Sequence, residues 1–167
     1  MTQLLKPLSL IATIFAAAMF GFFFAWVSST MWGLDASDPR IAISAMQAMN
    51  ASVRNMVFGI AFFGTVPILV LTAVWAYASG ARQTALGFAI ASAFAAGSVA
   101  ITFTVHVPMN LSLAALEVPT DQADARAVWA AYAPPWQVWN AVRTVTSGFA
   151  VAAASWALMC APRGARG

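Results

Sequence analysis

Residues 84–110 read TALGFAIASAFAAGSVAITFTVHVPMN, and this stretch decides the fold. Its first 22 residues carry no charge, enough helix at about 1.5 Å per residue to cross a hydrocarbon layer of about 30 Å. Alanine, glycine and serine abound in it. Small residues let helices approach closely, so this is expected to be the most enclosed helix of a bundle. The run then meets the only histidine, His106, and after it Pro108. Proline lacks an N–H and collides with the preceding turn, which predicts a helix end near His106 and a freed Thr104 carbonyl. Imidazole, hydroxyl and amide groups are thereby set at the edge of an apolar layer, where buried polar groups need partners.

The rest of the chain is as apolar. Of 167 residues, 62% are hydrophobic and 8% charged, and the mean hydropathy is +0.80. A soluble domain carries roughly 25% charged residues, so the lipid bilayer is the expected solvent for much of this surface. The net charge of +3 is spread thinly, which argues against a nucleic-acid partner. Cys160 stands alone and excludes an intrachain disulfide or a cysteine metal cluster.

Hydropathy predicts one membrane domain over 1–167 with spans at about 8–32, 56–77, 84–106 and 144–160. The fold class is all-α: an integral membrane four-helix bundle with a short extramembrane helix in each of two outer connections. The first run competes with a signal-peptide reading, but it is about twice the length of a usual apolar signal core. In the first connection, Ser37 or Asp38 can cap a helix that has Pro39 at its first position. Ala42, Met46, Met49 and Val53 form its apolar stripe, and Ser44, Gln47, Asn50 and Arg54 a polar one. In the second connection, Thr120 can cap a short helix running to Tyr132, which Pro134-Pro135 ends before Trp136 opens the last helix.

Lys6, Arg82, Arg163 and Arg166 fall on one side with no acid, and all five acids fall on the other. The basic side is expected to be cytoplasmic, with both termini there, in the cell inner membrane. Trp129, Tyr132, Trp136 and Trp139 crowd the opposite interface, as an aromatic belt does.

Three polar stripes converge near that outer face: Gln47, Asn50 and Arg54; Ser98, Thr102 and His106; Gln137, Asn140, Thr144 and Ser147, with Arg143 at its edge. Each has a structural and a functional reading. The amides can glue helices, and Arg143 can snorkel to the interface. Equally, an ionisable group at membrane depth is a functional-site candidate. One histidine with no usable cysteine excludes a conventional zinc site. Haem held by His106 with Met109 or Met46 as second ligand is chemically available. The sequence has no C-x-x-C-H, phosphate-loop, G-x-S-x-G or H-E-x-x-H motif.

Four elements occur in order: Phe24-Ala25-Trp26, Ala45-Met46-Gln47-Ala48-Met49-Asn50, Val107-Pro108-Met109-Asn110, and a Trp-x-x-Trp-Asn-x-x-Arg element from Trp136 to Arg143. Together the chain resembles the anthrone-oxygenase-like family of small four-span membrane proteins. The resemblance implies an integral-membrane bundle and, for some fungal members, oxygenation of an anthrone to an anthraquinone. Carried over by position, it points to Gln47, Asn50, Pro108, Asn110, Trp139, Asn140 and Arg143.

The leading expectation is a membrane oxygenase for a flat, apolar, phenol-like molecule. His106, Arg143 and Asn140 are its catalytic candidates; Gln47, Asn50, Asn110, Trp136 and Trp139 are its substrate-binding candidates. It requires no cofactor or metal. The alternatives are a haem- or other cofactor-binding protein, and a non-enzymatic subunit of a larger assembly with partner chains or further copies of itself.

Overall fold

The structure is a computed structural model that describes residues 2–162. Arg163 and Arg166, used above for the basic side, lie outside the described residues. Among those described there is no β-strand, and the fold is an all-α helical bundle.

The first helix comprises α1 (Thr2–Ala25), a π-helical turn (Trp26–Thr30) and α2 (Met31–Asp35). After it come α3 (Pro39–Ser52) and α4 (Met56–Ala78). Next is α5 (Arg82–Ile101), which continues through a second π-turn (Thr102–His106) into α6 (Val107–Ala114). The chain ends in α7 (Gln122–Cys160). Three stretches are long and apolar enough to cross a membrane: Gln3–Asp35, Met56–Ala78 and Arg82–Ala114.

Three sequence expectations are corrected here. The third helix does not end near His106. A π-turn, in which the Val107 N–H donates back to the Thr102 carbonyl, carries it on to Ala114. The widened turn gives the Pro108 ring room that a regular α-turn denies it. The predicted break at Pro134-Pro135 is absent too, and α7 runs unbroken for 39 residues. Both prolines are exposed, as are Ala130 and Ala131, whose carbonyls lose a donor. The cost therefore falls on the outer side, while Trp129, Tyr132, Ala133 and Trp136 stay packed inside. Asp121, rather than Thr120, caps α7, accepting from the N–H groups of Ala123 and Asp124. Asp38 caps α3.

α1, α4, α5 and α7 pack in cyclic order, α1 on α4, α4 on α5, α5 on α7 and α7 on α1. Their pattern is inside-out. The core is small, with Ala12, Ala16, Ala91, Ala95, Ala150, Ala154 and Ala157 buried around Phe23, Phe62 and Phe88. Ile60, Phe63, Val74, Leu86, Val145 and Phe149 are exposed around the outside. Such a belt suits hydrocarbon, and small inner residues permit close crossings. At Gly87 a Cβ would lie 2.6 Å from the Ala157 Cβ, so α5 and α7 meet there only because position 87 has no side chain.

The turn after α4 is set by Gly80, whose φ of +78° suits glycine. Its N–H donates to the Tyr77 carbonyl and that of Ala81 to Ala76, closing the helix end. Beyond the apolar belt a second core joins Met31, Ile43, Met46, Leu113, Trp129 and Trp136. It fastens α2, α3 and α6 to the first half of α7, and the candidate site lies where the two cores meet.

Candidate functional site

A cavity of about 360 Å³ opens between the ends of α1, α4, α5 and the middle of α7. Its walls are apolar and aromatic, with Phe22, Phe23, Trp26, Phe58, Phe62 and Trp136 contributing. Its polar lining consists of Asn50, Arg54, Asn55, Thr102, His106, Asn110 and Arg143.

Arg143 is 5% exposed. Its Nη1 donates to Thr102 Oγ1 at 3.1 Å and its Nη2 to Asn140 Oδ1 at 2.8 Å. The guanidinium carbon lies 4.3 Å from the centre of the Phe23 ring and 5.6 Å from that of Trp136. Its Nε has no partner. Among the described residues the sole salt bridge joins Arg40 to Asp38, so no carboxylate answers Arg143. A buried cation without a counter-charge is costly, and aromatic faces offset only part of that.

His106 is 1% exposed and stands edge-on to the Trp136 ring, centroids 5.0 Å apart. Its Nε2 lies 3.3 Å from the Trp136 carbonyl. A carbonyl can only accept, so Nε2 carries hydrogen and Nδ1 holds the lone pair. The backbone of Ile101 is the ring's other polar neighbour, and Nδ1 makes no hydrogen bond.

An amide chain closes the outer end. Asn110 Oδ1 accepts from Tyr132 Oη at 2.7 Å and from Trp136 Nε1 at 3.0 Å. Asn110 Nδ2 donates to Asn50 Oδ1 at 3.0 Å. Asn50 Nδ2 is buried without a partner. Three buried orphan polar atoms, on His106, Arg143 and Asn50, thus belong to residues that line one cavity.

The structure brings His106, Arg143, Asn50, Asn110 and Trp136 to this cavity. Asn140 stands behind it, gripping Arg143 and donating from Nδ2 to the Phe23 carbonyl at 3.1 Å. Gln47 lies elsewhere and donates to the carbonyls of Leu113 and Leu116 at the end of α6. Trp139 is 41% exposed and does not line the cavity.

Other stripe members tie helices. Ser98 Oγ meets Thr146 Oγ1 at 2.7 Å, and Ser147 and Thr144 bond back along α7. Gln137 and Trp129 both donate to Asp35, at 2.9 Å each. Met46 and Met109 belong to the outer core, away from the cavity that His106 lines. Among the described residues no three His, Cys, Asp or Glu side chains come together.

Sequence reasoning missed Phe22, Phe23, Phe58 and Phe62 as walls, and Tyr132 as a partner of Asn110. In a chain with 12 phenylalanines, no spacing separates those lining a cavity from those facing lipid.

Comparison with known proteins adds one finding. The sequence profile of the family described as anthrone oxygenase matches residues 54–153. That range includes Val107-Pro108-Met109-Asn110 and the element from Trp136 to Arg143, and it excludes the two elements before residue 51. Neither the curated proteins nor the solved structures gave a match. The profile covers more than half of the chain and runs through the helices that carry His106 and Arg143, and the chain belongs to the anthrone oxygenase family.

Proposed function

We propose that this protein is a membrane oxygenase that draws a flat, apolar, phenol-like molecule from the lipid and oxidises it at an acidic carbon between two rings. The observation that carries this reading is Arg143, a buried cation with no counter-charge beside an aromatic-walled cavity. Such a group is best answered by a ligand that is, or becomes, an anion.

An anthrone meets that description. Its methylene carbon is acidic because the negative charge left by deprotonation spreads to the ring carbonyl. His106 Nδ1, which holds a lone pair and makes no hydrogen bond, takes the proton. Arg143 and Asn50 donate to the oxygen on which charge collects, in a site largely shielded from water. Asn140 holds the guanidinium in place, and Trp136 packs against the rings. The carbanion carbon then gives electrons to molecular oxygen and forms a C–O bond, yielding a hydroperoxide. Loss of the second proton from that carbon breaks the O–O bond and expels hydroxide, which leaves as water. The sum is substrate plus O₂ giving quinone plus water.

In this reading α7 crosses the bilayer as a fourth span, with its polar side chains turned inward. The cavity lies toward the extracytoplasmic face of the inner membrane, and both termini are cytoplasmic. The test is oxygen uptake and anthraquinone formation by the purified full chain given anthrone. No turnover above the uncatalysed rate overturns the proposal, and undiminished turnover by a folded His106→Ala protein removes that residue from the mechanism.

A further inference from the structure

The hydrogen-bond chain at the outer end of the cavity has only one possible polarity. Indole Nε1–H donates and never accepts. The Asn110 atom 3.0 Å from Trp136 Nε1 must therefore be the amide oxygen, which leaves the NH₂ of Asn110 to face Asn50. An NH₂ donates, so the Asn50 atom that meets it must be oxygen. Asn50 then has its own NH₂ left over, and this group, beside the Tyr132 hydroxyl, is buried without a hydrogen bond in a residue that lines the cavity. Tyr132, whose hydroxyl could serve either way, adds a second donor to the same Asn110 oxygen.

We infer that Trp136 and Tyr132 act through Asn110 as positioning residues that hold the Asn50 NH₂ as a donor subsite, so the cavity selects flat ligands bearing an oxygen acceptor at its outer end. The inference rests on the proposed function and deepens it by naming a specificity element. Arg143 Nε is a second orphan donor on another helix. A rigid aromatic frame that brings oxygen to these donors satisfies them, whereas the same frame without oxygen leaves them unmet. Unmet buried donors are what make a hydrogen-bonding site reject analogues that lack the matching group.

Binding tests this without turnover. The full chain, at one fixed detergent concentration, is titrated with 9,10-anthraquinone and with anthracene, which has the same frame and no oxygen. Quenching of tryptophan fluorescence reports occupancy, since Trp26 and Trp136 line the cavity. The wild type is expected to prefer anthraquinone. Asn50→Leu removes the donor. In Asn110→Asp the carboxylate accepts from Trp136 and Tyr132 but has nothing to give Asn50, so the Asn50 amide turns round and shows its oxygen to the cavity. Both variants are expected to lower the preference about tenfold, while anthracene still binds within about twofold of wild type and so reports an intact fold. A wild-type preference that survives both substitutions overturns this inference alone. Equal weakening of both probes also overturns it, by showing a merely structural role. A wild type with no preference overturns the proposed function and this inference together.

Discussion

Arg143 Nη2 donates to Asn140 Oδ1 across 2.8 Å, from one turn of α7 to the next, and Asn140 is held in turn by the Phe23 carbonyl of α1. The cation is therefore aimed by neutral groups only. A carboxylate in place of the amide would have neutralised it, and this site keeps the charge available.

Replacing that amide by an acid is the sharpest test. In Asn140→Asp the new carboxylate pairs with Arg143 and competes with any anionic ligand. Anthrone oxidation is expected to fall about a hundredfold in kcat/KM. Asn140→Ser, which keeps a neutral acceptor, is expected to retain most of it. Steady-state oxygen uptake by the two variants checks this, and equal rates would count against a role for free charge.

Removing the charge should separate activity from stability. Arg143→Met fills similar space, abolishes a buried cation without a counter-ion, and leaves Asn140 Oδ1 and Thr102 Oγ1 short of a donor. These effects oppose one another at about 1–3 kcal/mol each, so Tm is expected to stay within a few degrees of wild type while turnover is lost. Thermal unfolding in detergent and the oxygen assay decide it. A large fall in Tm would assign Arg143 a structural role instead.

The π-turn makes its own prediction. With Pro108→Ala the missing N–H is restored and the turn is free to tighten to α-helical register, which would rotate His106 against the residues that follow it by up to about 100°. The protein is expected to remain as stable or become more so, and to lose activity at least tenfold because His106 leaves the Trp136 carbonyl. Unchanged turnover with a lower Tm would reverse that account.

Outside the membrane, Asp38 titrates well below the ordinary carboxyl value. Hydrogen bonds from the side chain and backbone of Arg40 hold it at about 2 rather than 3.8. A lowered folded-state value means the stabilisation is fully present above pH 3.8 and disappears as pH falls through about 2. Asp38→Ala removes both the cap and the ion pair, and its Tm is expected to fall below that of Asp38→Asn, which keeps the cap. The gap between Asp38→Asn and wild type should narrow on acidification over that window, as thermal melts at successive pH values would show.

Much of this was legible in the residues. A 22-residue uncharged run cannot be dissolved in water and cannot be unfolded in lipid, so helices at 56–77 and 84–106 followed from hydropathy. His106, Arg143 and Asn140 stood out because polar side chains at membrane depth must have partners. The helix ends were less legible. Proline reads as a stop from local sterics, yet a π-turn before Pro108 and an exposed face at Pro134-Pro135 let both helices continue, and each remedy depends on packing with distant residues. Trp139 shows a second limit. It sits three residues from Trp136 and in the same motif, but the turn of α7 points one indole into the cavity and leaves the other 41% exposed.

The unanswered charge on Arg143 also bears on how a turnover ends. In the proposed reaction the deprotonated substrate is an anion and the quinone is neutral, so oxidation itself would discharge the molecule that the guanidinium grips. On that reading the grip would lapse when the chemistry is complete, leaving the uncharged product free to slip sideways into the lipid.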